Sequence, residues 1–406
     1  MDEVNERISI GDVNEDTAIF GELVNQMAPG IRVRHFLVDG FGSMREPPWS
    51  DSNNISLLFH ALQQQPLETI SLENIGIFAD DERSGPFPIR LLTRLLCSES
   101  CRLSLKNLKL IDCILDGTNE DWEEFALANN NLPELDQFVL DTCDCALDYP
   151  LEQFDRFGAI LPCNSPKLTS AIVDPAKTRG YIDLGAARRM CRLPQLRRLC
   201  LFEMAFPGET TATMFQTLAQ QSPTGCFTSH LETLKLGVCD MDAVAVQAFS
   251  SPGAVKDEGA FIAIMEALKR NRTIRCLDFR WSEKAWLVQP TPKYGASALA
   301  AYHDMIRSNC TLLAMYVVDH SLYCGDLRSM KMFYARLNQI GRQRFLEAGN
   351  FVSDEEWLDK LVAVGREREN DHYNALSFVY YFLRLNPLIC VQHSASSNTR
   401  VLLPPN

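Results

Sequence analysis

Apolar and polar positions alternate in a short phrase, L-x-x-L-x-L with other apolar residues standing in for leucine, that recurs nine times along the chain. The clearest copies are Leu105-x-x-Leu108-x-Leu110-x-x-Cys113, Leu135-x-x-Phe138-x-Leu140-x-x-Cys143 and Leu231-x-x-Leu234-x-Leu236-x-x-Cys239. Their first apolar positions are Val33, Leu67, Leu105, Leu135, Leu168, Leu196, Leu231, Ile274 and Leu312, which places the copies 34, 38, 30, 33, 28, 35, 43 and 38 residues apart. Alternation with period two predicts a strand whose leucines all point one way. The weaker copies are Val33-x-x-Phe36-x-Val38, Leu168-x-x-Ala171-x-Val173 and Leu312-x-x-Met315-x-Val317. The fifth is the least regular, because Asp174-Pro175 follows it and proline interrupts sheet pairing.

A helical pattern precedes each phrase. Phe261-Ile262-x-x-Met265-x-x-Leu268 leads to Asn271, Tyr302-x-x-Met305-Ile306 to Asn309, and Leu91-Leu92-x-x-Leu95-Leu96 to Cys97. Apolar residues at three- and four-residue spacing make one sticky stripe on a helix. Neither strand nor helix buries its apolar side alone, so neighbouring units must stack and share a continuous core. The fold class expected is α/β, a solenoid with a curved parallel sheet inside and helices outside. Helices are wider than strands, so the sheet is expected to be the concave side.

The phrase Ala267-Leu268-Lys269-Arg270-Asn271-Arg272-Thr273-Ile274-x-x-Leu277-Asp278-Phe279 resembles the ribonuclease-inhibitor-like class of leucine-rich repeat proteins, in which a helix ends in N-x-T and a strand begins at once. The resemblance covers residues 31–319 and is strongest in units three, four, seven and eight. It departs from the class in its irregular spacing, its few asparagines at the phrase end and its long insertions.

Four regions are expected: a helical cap over residues 1–30 with the stripe Phe20, Leu23, Val24 and Met27; about nine irregular repeats over 31–325; a helical C-terminal cap over 326–393; and a disordered tail over 394–406. The C-terminal helices are predicted from Met332-Phe333-x-x-Arg336-Leu337-x-x-Ile340 and two later periodic stretches. An array needs such caps because its terminal repeat would otherwise expose a core edge.

Charge narrows the partners. A net charge of −13 argues against nucleic acid and against an anionic membrane surface, although a local basic patch remains compatible with it. With no signal core and no long apolar span, a cytoplasmic location is expected, the nucleus remaining open. The fourteen cysteines are then read as reduced. Cys113, Cys143 and Cys239 share one phrase position, which suits a small thiol buried at each turn.

Catalytic signatures are lacking: no G-x-S-x-G, H-E-x-x-H, P-loop or C-x-x-C occurs. Cys97 with Cys101 and Cys143 with Cys145 read as packed or exposed thiols rather than zinc ligands, since zinc needs four converging groups. The sequons at Asn271 and Asn309 fall at helix-to-strand junctions, where a polar residue followed by threonine makes a tight turn. No catalytic residue, cofactor or metal is expected.

Positions between the phrase leucines are forced onto the expected concave face. They include Asp278, Arg280, Trp281 and Tyr316 towards the C-terminal end, with Arg198, Phe202 and Lys235 further back. Trp, Tyr and Arg concentrate interface energy, so Arg280, Trp281 and Tyr316 are the candidate anchors. Trp281 has a second reading, packing under the insertion 282–295 or against the cap. The expected function is a non-catalytic scaffold, working as a monomer, that offers its concave face to a protein partner. The repeat class also contains small-GTPase activators and ubiquitin-ligase substrate receptors. The first need a suitably placed asparagine or arginine and carry an acidic tail, whereas residues 394–406 hold no Asp or Glu. The second need an F-box-like segment before the repeats.

Overall fold

The computed structural model describes residues 7–11, 32–39, 52–75, 87–145, 160–175, 180–181, 184–201, 204–205, 208–221, 228–236, 258–278 and 295–316, with 331, 334, 335 and 338. The strands are β1 (Arg7–Gly11), β2 (His35–Asp39), β3 (Thr69–Ile75), β4 (Phe87–Pro88), β5 (Asn107–Asp116), β6 (Gln137–Cys145), β7 (Ser170–Pro175), β8 (Gly180–Tyr181), β9 (Arg198–Leu201), β10 (Met204–Ala205), β11 (Thr233–Leu236), β12 (Cys276–Asp278) and β13 (Ala314–Tyr316). The helices are α1 (Ser52–Leu62), α2 (Ile89–Cys97), α3 (Glu99–Arg102), α4 (Asn119–Asn129), α5 (Leu184–Cys191), α6 (Gly208–Leu218), α7 (Glu258–Arg270) and α8 (Ala296–Ser308). Ten strands form one all-parallel sheet in the order β1-β2-β3-β5-β6-β7-β9-β11-β12-β13, with β4 paired to the far end of β5. The strands follow sequence order throughout, a solenoid-like arrangement in which each unit touches its neighbours.

One face of this sheet carries the core. Phe36, Ile70, Leu108, Phe138, Ala171, Leu199, Leu234, Leu277 and Met315 occupy successive strands at one register position. All nine are buried, in one cluster with the helix residues Leu58, Leu92, Leu95, Phe125, Met190, Phe215, Met265 and Met305. A helix earns its place here through its stripe: α2 buries Ile89, Leu91, Leu92, Leu95 and Leu96 while Arg90 and Arg94 face out. Local caps sharpen the ends. Thr118 accepts from the Asp121 backbone N–H, and the Asp121 carboxylate accepts from the Thr118 N–H, a reciprocal pair at the start of α4.

Each helix-to-strand junction uses the same backbone device. One carbonyl accepts two consecutive N–H groups of the next unit: Arg34 from Glu68 and Thr69, Glu68 from Lys106 and Asn107, Lys106 from Asp136 and Gln137, and so on to Arg275, which accepts from Leu313 and Ala314. Charges alternate from Arg34 to Asp136 and again from Arg197 to Arg275, with neutral Thr169 between the two runs, and side chains within each run pair. Glu68 lies between Arg34 at 3.2 Å and Lys106 at 2.7 Å, and Arg197 meets Glu232 at 2.6 Å.

Asparagine closes the later junctions. The Asn271 amide donates to the Leu218 carbonyl, while its carbonyl oxygen accepts from the Thr273 and Ile274 N–H groups. Asn309 repeats this towards Leu268, Thr311 and Leu312. Both asparagines are buried, so the two sequons are junction devices and not accessible acceptor sites in the folded chain.

Inside the region expected to be an N-terminal cap over residues 1–30, residues 7–11 form β1, which pairs in parallel with β2. The sheet edge is thereby extended by hydrogen bonds that a helix would not supply; the expected stripe at Phe20, Leu23, Val24 and Met27 lies outside the described residues. The irregular fifth phrase does form a strand, β7, paired on both sides, and its proline coincides with a register shift between Asp141 and Cys143. In the expected C-terminal cap, residues 331, 334, 335 and 338 are helical, and Asn338 donates to the Asn309 and Leu312 carbonyls. The tail at 394–406 lies outside the described residues.

Candidate functional site

Strand alternation leaves a second face, opposite the core, built from the residues between the buried ones. Its central row runs in register through Ser9, Leu37, Ser71, Lys109, Val139, Ile172, Cys200, Lys235, Asp278 and Tyr316. In the middle, half-buried Val139 and Ile172 and buried Cys200 make an apolar stretch across three strands, with Lys109 and Lys235 at its two ends. On one side lies a polar row, His35, Thr69, Asn107, Gln137, Ser170, Arg198 and Thr233. On the other side, two residues further along each strand, Asp39, Glu73, Ile111, Asp141 and Asp174 form a row that is acidic except at Ile111. Glu73 accepts from the Ser71 hydroxyl at 2.7 Å, and Asp39 accepts from the Asn74 amide at 2.7 Å. Asn74 adopts φ 56° and Asp112 φ 49°, at equivalent points of consecutive units. Asn and Asp tolerate this left-handed conformation better than other side chains, which explains their use at this irregular point of the ladder, beyond which Ile75 still pairs with Cys113.

Of the residues picked from sequence, Lys235 and Asp278 sit directly opposite one another on β11 and β12, and Tyr316 follows Asp278 on β13. Arg198 is exposed in the polar row, beside Ser170 and Thr233. Asp278 departs from expectation: it lies on the predicted face but is buried, so it is a partnered interior carboxylate rather than an exposed contact. Phe202, Arg280 and Trp281 lie outside the described residues, and so does the insertion at 282–294. Lys109, Val139, Ile172 and the acidic row were not singled out from sequence. Their signal was the phrase itself, but their adjacency depends on register between units.

The thiols are placed for packing. Cys113 and Cys143 are buried, and their S–H groups donate to the Leu72 and Leu110 carbonyls of the preceding strands. Burial, with the neighbouring Cys113 thiol adding to it, holds the Cys143 thiol well above its ordinary value. Burial pushes Cys101 and Cys191 up to about 12. Such thiols are poor nucleophiles and poor metal ligands at neutral pH. Among the described residues no group of three or more His, Cys, Asp or Glu side chains could hold a metal ion. Among them, too, no helix is long and apolar enough to cross a membrane.

No protein-family model matches the chain, and no curated protein matches it. Among solved structures it is similar to the actin-binding site 2 of leiomodin-1, at 10% identity over 72% of this chain and 93% of that one, with a TM-score of 0.17. So weak a superposition says nothing about what this chain binds.

Proposed function

We propose that this chain is a leucine-rich repeat solenoid of the ribonuclease-inhibitor-like class that acts as a non-catalytic scaffold, presenting its coreless sheet face to a protein partner. One observation carries the reading: the row from Leu37 to Tyr316 continues in register across nine strands without joining the core cluster. Nine strands spaced about 4.8 Å apart span roughly 40 Å, enough for a standard protein interface. The backbone of such a face is ordered before binding, which lowers the entropy lost on association. Apolar Val139 and Ile172 between Lys109 and Lys235 match the usual plan of an apolar centre with a polar rim.

The test compares capture of partners from a native lysate by the wild type, by Lys109→Glu/Ile172→Ser/Lys235→Glu, and by Arg280→Ala/Trp281→Ala/Tyr316→Ala, each verified as folded by thermal denaturation. Partners lost from either variant support the sheet face. Capture undiminished in both, or reproduced by residues 394–406 alone, overturns it.

A further inference from the structure

In a chain of net charge −13, the eleven residues from Arg188 to Arg198 hold five arginines and no carboxylate. Arg188 and Arg189 close the last turn of α5, and both are exposed. The Arg192 N–H donates to the Arg189 carbonyl, so the helix end folds directly into the junction that begins β9. Arg192, Arg197 and Arg198 are exposed as well, which brings all five guanidinium stems to one helix-to-strand edge.

Structural duties use only part of this charge. Arg197 belongs to the alternating row and pairs with Glu232. One or two cations at a helix C-terminus satisfy the negative end of its dipole. The remaining arginines, Arg188, Arg189, Arg192 and Arg198, have no ion pair among the described residues. Among the described residues the neighbouring units offer them no ion pair. On one side stands Lys167, already paired with Glu134; on the other, Arg275 is exposed two strands from Arg197, about 10 Å away. Glu232 lies between Arg197 and Arg275 in the row and pairs with Arg197.

We propose that the helix-to-strand edge carrying Arg188, Arg189, Arg192 and Arg198 is a docking edge for an extended Asp/Glu-rich peptide segment of a protein partner. Guanidinium forks match carboxylates two hydrogen bonds at a time. The arginines are spread along an edge and do not converge in a pocket, which fits a run of carboxylates better than a single phosphate. A long polyanion such as RNA, or an anionic bilayer, would also meet the acidic remainder of the molecule; a short segment reaches the edge alone. Only Arg198, which also stands in the polar row of the sheet face, is shared with the surface proposed above; Arg188, Arg189 and Arg192 lie outside it.

The test is fluorescence polarisation of a short labelled oligoglutamate with the full chain at low and physiological salt. The wild type is expected to bind, more weakly as salt rises. Arg188→Gln/Arg189→Gln/Arg192→Gln is expected to lose at least about tenfold in affinity, because exposed arginines set electrostatic association without supporting the core. Lys109→Gln/Lys235→Gln, on the sheet face, is expected to bind as the wild type. No salt-sensitive binding by the wild type, or equal binding by the arginine variant, overturns the proposal. Tighter binding of oligouridylate or phosphatidylserine vesicles through the same arginines also overturns it, by assigning the edge to a different partner. If lysate partners depend on the sheet face but not on these arginines, the scaffold stands and this edge falls.

Discussion

The Asn309 amide donates to the backbone carbonyl of Asn271 at 3.2 Å, so the residue that ends one helix is tied to the residue that ends the helix before it. The same amide donates to Leu268, and Asn338 in turn donates to Asn309. Three asparagines thus link consecutive units; Asn271 and Asn309 use both the donor and the acceptor end of the amide, whereas Asn338 uses its donor and leaves its carbonyl oxygen without a partner.

Asn309→Ala leaves the Leu268 and Asn271 carbonyls and the Thr311 and Leu312 N–H groups without this partner in a buried site. Unsatisfied buried groups cost about 1–3 kcal/mol each, with water admitted by the mutation recovering part. A loss of roughly 2–4 kcal/mol is expected, measured by urea denaturation. A loss under about 0.5 kcal/mol would show that the ladder is incidental to stability.

Glu68 yields a pH dependence. The Lys106 ammonium hydrogen-bonded to it, helped by the charges of Arg34 and His35 and opposed by burial, holds its carboxyl below the usual carboxylate value. A depressed folded value means that its stabilising effect is complete above the unfolded pKa and is lost as pH falls through the folded one. Glu68→Gln should therefore destabilise by about 0.5–1 kcal/mol at neutral pH. The difference from wild type should shrink as pH falls below the ordinary carboxylate range, and as salt rises. Denaturation curves at matched pH steps check this; a difference that grows on acidification would refute it.

Thiol reactivity should separate Cys97 from its neighbours. Cys97 is exposed, whereas Cys101, Cys113, Cys143, Cys191 and Cys200 are buried. Mass-spectrometric mapping after brief alkylation should find Cys97 modified first among these six. Burial and the Glu124 charge raise its pKa above the ordinary thiol value, so its labelling rate should still be climbing in the alkaline range where a free thiol has levelled off. The buried five should label only at the rate of local opening.

Gly117 marks a close approach. A Cβ there would lie 2.5 Å from Cγ2 of Ile89, a fully buried residue at the start of α2. Gly117→Ala should cost about 1–3 kcal/mol through overpacking, and pairing it with Ile89→Ala, which removes the Cγ2 it meets, should recover part of the loss. Additive losses in the double variant would place the strain elsewhere.

Much of the fold was written in local periodicity. All nine phrases form strands in the expected order, because alternation with period two has only one geometric solution once a neighbouring unit covers the leucine side. Asn271 and Asn309 were legible for the same reason: the bonds their carbonyl oxygens accept close within three residues, although the bonds their amides donate reach the preceding unit. What the sequence by itself determined was therefore the unit, its buried face and its turn. Tertiary structure decided what the units bring together. The β1 strand, the β8–β10 pairing, the burial of Asp278 and the row joining Lys109 to Lys235 all depend on register between segments about twenty-four or more residues apart or on whatever covers them. The five arginines from Arg188 to Arg198 were visible as letters, yet only the stacked units show that, among the described residues, Arg197 alone of the five has an ion pair, with Glu232. Stacking repeats converts sequence spacing into distance through cumulative hydrogen-bond register, and no single unit carries that information.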